Sequence, residues 1–551
     1  MARWRALPRP ARYAALLLAG TLPVLAFPAP NLEFIAWFGL VPGLLLIRAS
    51  ASARQAAAAA WWLGGGYLLA ALYWLIPNLG PGLLLVTAVL GVLWTGFGVA
   101  CWALLRPPVT ARRGLAALVV MPSCWLLGEW IRSWQGFGGP WAVLGVSQWQ
   151  HPAVLALAAI GGVWLVSFAL LAANTGIVIL IAASTWPVRL LGVAAAAVAL
   201  AAGPAAFALT APPPPAGSVT LALVQPGIVH DPVRRADATQ RMSAGLRSYH
   251  PGLIVWGESS IAFDLRRDAT LLRQIGRLSA ADGAQILVNQ DAIGAGGTKS
   301  KMAVLVGPAG IDGAYVKTRL VPFGEYIPFR QQLGWLTSIS RAAPEDMVPG
   351  TGAHVLRVTT PDGRPLPVGV LICFESAFPD MSRVDADHGA RLIIYQTSDS
   401  TFQTSWALAQ HASLGALRAA ETGRPVVQAA LTGDSAAFDA RGRLLAWAGP
   451  SDRGVIRVAL GLPPSAARTP YDRLGDYVPW TATGIAVLAA LLALVRPDRI
   501  RPQRVRAHRP AWILLERNHR HGSSVRVSSG SSGKNSVTRS HDPADGADPA
   551  P

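Results

Sequence analysis

Three polar side chains close apolar, strand-like runs of this sequence. Glu258 ends LIVWGESS, Lys317 follows the run in GAYVKTRLVPFGEYIPF, and Cys373 ends VGVLICFES. A thiol is a strong nucleophile only as its thiolate. A carboxylate can take the proton as general base. An ammonium can hold the thiolate and then an oxyanion, assisted by the backbone N–H groups that follow the thiol. A Glu, Lys and Cys brought together can therefore carry out acyl transfer through a thioester. Taken alone, Cys373 reads as a small buried hydrophobe, and its two partners reverse that reading. The other two cysteines, Cys101 and Cys124, lie in long apolar stretches, so Cys373 has no disulfide partner in the polar part of the chain. Its place at a strand end, ahead of a helix-starting segment, predicts a stabilised thiolate. The chain has 48 Lys and Arg residues, yet only Lys299, Lys301, Lys317 and Lys534 are lysine. A lysine after a strand in so arginine-rich a sequence points to a need for a compact ammonium.

Each of the three residues follows a strand, which predicts that they share one sheet edge, where open α/β folds bind ligands. The predicted strands are 220–225, 253–256, 285–289, 302–306, 314–317, 368–372, 392–396 and 426–430, with helices at 269–282 and 405–421 among them. Continuous apolar strands alternating with helices indicate a layered α/β domain whose sheets are buried on both faces. The sequence has no internal repeat, GxGxxG, P-loop, or His/Cys cluster at metal-ligand spacing. No cofactor or metal is expected. His151, His230, His250, His388 and His411 are scattered and read as solvated or capping residues.

The elements that must carry this domain are unusual. The 551 residues are 52% hydrophobic and only 14% charged, against about 25% charged in soluble domains. Apolar segments near the ~20 residues of a membrane span fall at 11–27, 31–48, 57–76, 82–105, 114–131, 152–183, 189–210 and 479–496. The 152–183 segment fits a tilted helix, a helix with an interfacial piece, or two tight spans. With eight spans, Arg3, Arg5, Arg48, Arg54, Arg106, Arg112, Arg113, Arg189 and the Arg496–Arg509 stretch all fall on one side, which the positive-inside rule makes cytoplasmic. The expected organisation is a transmembrane domain over 1–212, an extracytoplasmic catalytic domain over 216–475, a last span at 479–496 and a basic, disordered cytoplasmic tail over 497–551. Pro212 to Pro215 form a rigid linker. Much of the net charge of +18 is flanking arginine facing anionic lipid. No aromatic-interleaved basic surface suggests nucleic acid.

WGESS, KTRLVPFGEYIPF and ICFES resemble the nitrilase superfamily. So does QHASLGALRAAETGRPVV, with Gln410, His411, Arg418, Glu421, Gly423, Arg424 and Pro425. With EWIRSW and GGPWAVLGVSQ in the apolar half, the chain more closely resembles the membrane-embedded branch, the apolipoprotein N-acyltransferases, up to about residue 496. The resemblance implies an αββα sandwich with Glu258, Lys317 and Cys373 as its triad. It also implies Glu325 at the pocket, Glu375 orienting active-site groups and Phe374 beside the nucleophile. The implied partners are a phospholipid acyl donor, a diacylglyceryl apolipoprotein acceptor and the bilayer. Leu333, Trp335 and Leu336 read as a lid toward lipid or as ordinary packing. The sequence departs from the family at Ser398–Phe402, where Asn-Asp-x-Trp-Phe is usual, and at Leu431-Thr432-Gly433. Two alternatives use the same residues: a membrane-tethered carbon–nitrogen hydrolase with water as acceptor, and a non-catalytic lipoprotein-binding scaffold.

Overall fold

The computed structural model describes residues 8–495 apart from 212, 295–296, 339–342 and 403–404. Arg3, Arg5, Pro212, the arginines from 496 onward, Lys534 and the expected tail lie outside the described residues, as does the side chain of Leu336. The amino-terminal part is helical: α1 (Arg9–Thr21), α2 (Val41–Arg48), α3 (Ala53–Ala71), α4 (Gly82–Leu105), α5 (Ala111–Arg132), α6 (Pro152–Ala182) and α7 (Trp186–Leu209). Helices α4 to α7 and the later Tyr477–Val495 are each long and apolar enough to cross a membrane. A sixth span arises if α3 and its continuation Tyr73–Leu79, bent by 62°, count as one. The outermost helices bury only 17% of their most apolar windows, and Leu190, Val198 and Leu488 point outward. An apolar surface that continuous belongs against lipid.

The first two predicted segments are not continuous helices. Helix α1 gives way to a 3-10 turn at Leu22–Ala26, and a second such turn at Glu33–Trp37 precedes α2. Pro23, Pro28, Pro30 and Pro42 supply no N–H to an intrahelical ladder, which breaks these stretches. Residues 152–183 form a short helical piece and a longer helix, separated at Gly161–Gly162, where Gly162 has φ +69°. A Cβ on Gly162 would lie 2.7 Å from the Tyr471 ring, so two constraints at this position favour glycine.

The second part is built on two six-stranded sheets. The first runs β12-β1-β2-β3-β4-β5, from β1 (Ser218–Gln225), β2 (Leu253–Trp256), β3 (Ile286–Ile293), β4 (Lys299–Gly307), β5 (Gly310–Val316) and β12 (Gly454–Gly461). The second runs β11-β10-β9-β8-β7-β6, from β6 (Leu356–Thr359), β7 (Pro365–Ile372), β8 (Leu392–Thr397), β9 (Val426–Ala430), β10 (Ser435–Phe438) and β11 (Leu444–Ala448). Three parallel strands form the centre of each sheet, β1–β3 and β7–β9, with antiparallel strands at the flanks. Helices α8 (Pro232–Ser243), α9 (Ala269–Asp282), α10 (Pro379–Asp387), α11 (Ala407–Thr422), α12 (Pro470–Leu474) and α13 (Tyr477–Val495) follow in chain order.

The strand period of two divides the first sheet between two cores. Leu221, Leu223, Leu253, Val255 and Leu287 share a cluster with the second sheet, whereas Ala222, Val224, Ile254, Trp256 and Ile286 pack with Ile275 of α9. Helices α10 and α11 cover the second sheet, completing an α-β-β-α stack. The facing strand ends are tied together. Gln396 Nε2 donates to the Trp256 carbonyl at 2.8 Å, and Asn289 Nδ2 donates to Gln396 Oε1 at 3.1 Å. Strands β6, β10, β11 and β12 are absent from the sequence-based expectation.

Candidate active site

The two parallel strand centres end at the same place, and the three singled-out residues meet there. Glu258 lies two residues beyond β2, Lys317 one beyond β5 and Cys373 one beyond β7. The Glu258 N–H donates to the Thr397 carbonyl at 3.1 Å, fixing one sheet's edge to the other. Gly257 permits this approach, because a Cβ there would come 2.1 Å from the Leu431 backbone nitrogen.

Lys317 is fully buried. Its Nζ donates to Glu325 Oε1 at 2.7 Å and lies 3.7 Å from Glu258 Oε1. Glu325 also accepts the Val321 N–H through Oε2 at 2.9 Å, which fixes the carboxylate over the lysine. Burial alone would lower the Lys317 pKa. The charges of Glu325 and Glu258, with Cys373, outweigh burial and leave it raised. The ammonium therefore keeps its charge in a site with little water.

Cys373 begins a five-residue 3-10 turn, Cys373–Ala377, with its own φ at +52°. A side chain other than glycine at such a φ is strained. Burial first, and then the Glu258 charge, push the thiol pKa well up, and Lys317 only partly offsets them. This corrects the expected stabilised thiolate. The short turn offers little helix dipole, and the half-buried thiol needs a base to become a thiolate.

Glu375, fully buried, touches neither Glu258 nor the Lys317 ammonium. Its Oε1 accepts from the Tyr315 hydroxyl (2.8 Å), the Thr318 N–H (2.7 Å), the Thr318 hydroxyl (2.9 Å) and the Arg319 N–H (2.9 Å). Its Oε2 accepts the Ile372 N–H at 2.8 Å. One carboxylate thus clamps the segment after Lys317 onto the strand that ends at Cys373. The Phe374 ring stands edge-on to Phe378 at 4.9 Å, and both rings press on Gly139 of the loop after α5. Trp335 is exposed on a short segment beyond the triad.

Two groups escaped the sequence reading. Lys301 Nζ lies 3.5 Å from Glu258 Oε1 and is bound to Asp291 (2.9 Å) and to the Ser259 hydroxyl (2.7 Å). The general-base candidate therefore sits between two ammoniums. The lysine scarcity that drew attention to Lys317 applied equally to Lys301. The second group is His411, which is 2% exposed rather than solvated. Its Nδ1 is 2.9 Å from Asp399 Oδ1. Spacing along the chain gave no metal-ligand cluster, yet folding places a sulfur, an oxygen and a nitrogen of Cys373, Asp399 and His411 within 4.8 Å of one another. Both ring nitrogens already face hydrogen-bond partners. His230, His250 and His388 are exposed, and His151 pairs with Glu33 at 3.2 Å.

Comparison with known proteins gives the same division of the chain. Residues 19–176 match the apolipoprotein N-acyltransferase N-terminal domain, and 220–466 match the carbon-nitrogen hydrolase domain. An apolipoprotein N-acyltransferase of Geobacter metallireducens is 30% identical over 87% of this chain and 95% of its own length. One of Chlorobaculum tepidum is 29% identical over 87% and 96%. Among solved structures, an amidase from Nesterenkonia overlaps 47% of this chain and 94% of its own, with 16% identity and a TM-score of 0.33.

Proposed function

The chain belongs to the apolipoprotein N-acyltransferase family, and on that premise we propose that it moves a fatty acyl chain from a membrane phospholipid to a lipoprotein. The acceptor is the α-amino group of an amino-terminal S-diacylglyceryl-cysteine. The observation that carries the reading is the convergence of Glu258 and the Lys317 ammonium, 3.7 Å apart, at the strand ends where Cys373 begins its turn.

In the first half-reaction Glu258 takes the Sγ proton of Cys373, and the thiolate attacks the ester carbonyl of the donor. Lys317 and the backbone N–H groups after Cys373 stabilise the oxyanion. The tetrahedral intermediate collapses to a thioester, and protonated Glu258 returns the proton to the departing lysophospholipid alkoxide. In the second half the acceptor amine attacks the thioester, Glu258 takes the ammonium proton, and the thiolate leaves with the amide formed. Glu325 holds Lys317 in place, Glu375 clamps the two loops, and Phe374 packs the nucleophile's turn against the helical part.

The apolar helices suit lipid substrates, whose acyl chains need not pass through water. The flanking arginines support cytoplasmic termini and an extracytoplasmic catalytic domain. Eight crossings give that arrangement if α1 with its continuing turn, and the 33–48 stretch, each count as one. The test is intact mass after incubation with phospholipid alone, wild type against Cys373→Ala. A hydroxylamine-labile gain of one acyl group, absent in the variant and discharged by a diacylglyceryl peptide, supports transfer. Acyl release to water without that peptide indicates the hydrolase. No adduct with either donor or peptide present overturns the thioester route in favour of a scaffold.

A further inference from the structure

Behind the nucleophile lies a pair of titratable groups that no step above uses. His411, on α11, faces Asp399 through Nδ1. Its Nε2 lies 2.9 Å from the Ser376 hydroxyl and 3.2 Å from the Cys373 carbonyl oxygen. The Ser376 hydroxyl itself donates to that carbonyl at 2.9 Å. Hydrogen-bond accounting narrows the ring's protonation to two states. An ionised carboxylate and a carbonyl only accept. With the Ser376 hydrogen on the carbonyl, its oxygen accepts from Nε2, both ring nitrogens carry hydrogen and His411 is an imidazolium; with that hydrogen turned to Nε2 the ring is neutral.

Several charged or titratable groups face this ring: Asp399 after β8, Glu258 after β2, Asp434 ahead of β10, and the Cys373 thiol. Burial disfavours the charged ring. The Asp399 charge and hydrogen bond and the Cys373 carbonyl outweigh burial, and the His411 pKa lies above its ordinary value. The carbonyl that the ring holds belongs to the residue with φ +52°, a conformation that persists only where its surroundings enforce it.

We propose that Asp399 and His411 form a positioning pair: Asp399 keeps His411 doubly protonated so that Nε2–H holds the Cys373 carbonyl and the left-handed turn that presents the thiol to Glu258 and Lys317. The proposal rests on Cys373 being the acyl-accepting nucleophile. The pair touches no substrate atom and acts through the turn.

The test is Asp399→Asn. The amide can accept the Nδ1–H but adds no charge, so the ring is neutral at alkaline pH and Nε2 turns a lone pair toward the Cys373 carbonyl. Solvent protons restore the imidazolium at low pH. Relative to wild type, thioester formation should fall about 10–100-fold at about pH 8, the worth of one charge-assisted hydrogen bond. It should recover to within a few-fold at about pH 5.5, below the ordinary histidine pKa. A ratio that stays flat with pH overturns the proposal, because a packing defect has no reason to heal on acidification. The same ratio is read from iodoacetamide alkylation of Cys373, which needs no lipid. Acid-rescued alkylation without any thioester sinks the acyl-donor reading and leaves the pair standing. If the variant does not fold, histidine-labelled NMR of the wild type decides, with the His411 signal assigned by its loss in His411→Gln. An imidazolium at about pH 7.5 is expected, and a neutral ring overturns the proposal.

Discussion

Replacing Lys317 by Met keeps an unbranched side chain, one atom shorter, and removes the charge that touches Glu325 and Glu258 together. A unit pair near 4 Å is worth about 4 kcal/mol at an effective dielectric near 20, and the two separations here are 2.7 and 3.7 Å. Stripping one partner from a buried pair costs about 3–5 kcal/mol. The protein can limit that cost by protonating one of the two carboxylates. If Glu258 takes the proton, the base is lost together with the oxyanion donor, and the donor alone is worth about 10²–10³ in rate. Thioester formation, followed by intact mass and lysophospholipid release, should therefore fall more than about 10³-fold at neutral pH. Lys317→Arg keeps the charge but places a planar fork where a fully buried Nζ already lies at contact distance from Glu325. Overpacking of that kind costs about 1–3 kcal/mol, and the displaced charge no longer lies between the carboxylates. Arg should rescue less than about a tenth of the wild-type rate. A Met variant within about tenfold of wild type would refute the electrostatic role assigned to the lysine.

Glu375→Gln presents an amide N–H₂ either to the four donors at Oε1 or to the Ile372 N–H. It should destabilise by about 2–4 kcal/mol and slow acylation, seen as a lower Tm and a reduced thioester rate. Unchanged values for both would remove the clamp. Gly162→Ala places a methyl 2.7 Å from the Tyr471 ring at φ +69° and should cost about 1–3 kcal/mol. Thermal unfolding in detergent reads the loss. Burial pushes the Glu421 carboxyl up to about 7, despite Arg418 at 2.7 Å. A pKa raised in the folded state gives stability that is fully present below the ordinary value of 4.5 and is lost as pH rises through about 7. The Tm difference between wild type and Glu421→Gln should therefore shrink across that window, and a constant difference would contradict the raised value.

The convergence of Glu258, Lys317 and Cys373 and eight of the strands were legible because each rests on local pattern. Trp256 and Ile372 end apolar runs, and a polar residue soon after a buried strand has one place to be. The expected edges of β2 and β9 coincide with those found. Strands β10 and β11 were not legible: SAAF and LLAWA carry neither alternation nor β-branched enrichment. They pair because β9 offers an open edge. The Asp399–His411 contact is a tertiary event between a loop and a helix, and a scattered histidine looks the same in sequence whether solvated or buried. Ser398–Phe402 departs from the family pattern but keeps its acidic residue and its last aromatic. The retained Asp399 reaches His411, and Phe402 stands edge-on to Trp74 at 4.7 Å, so the altered stretch still joins the Cys373 turn, through His411, to the helices.

That stretch belongs to a larger arrangement centred on α11. At its amino-terminal end the Trp406 N–H donates to the Tyr73 hydroxyl at 2.9 Å. Gln410 accepts from Trp141 Nε1 at 3.0 Å and donates to the Pro28 carbonyl at 2.9 Å. At its carboxyl-terminal end Glu421 accepts the Val163 N–H at 2.7 Å, capping the helix that restarts after Gly161–Gly162. Between these anchors the same helix presents His411 to the Cys373 turn. Three breaks in the apolar part (after α1, after α3 and within α6) each expose a backbone or side-chain group that α11 or its lead-in satisfies. Two of these irregularities therefore have a use, since a regular helix would have no free carbonyl at Pro28 or free N–H at Val163 to offer. A helix fixed at both ends to apolar helices, and facing the Cys373 turn through His411, ties the position of the thiol to those helices. Substitutions at Tyr73 or Trp141 should accordingly lower the acylation rate without touching the triad, whereas substitutions on the outward faces of α7 and α13 should not.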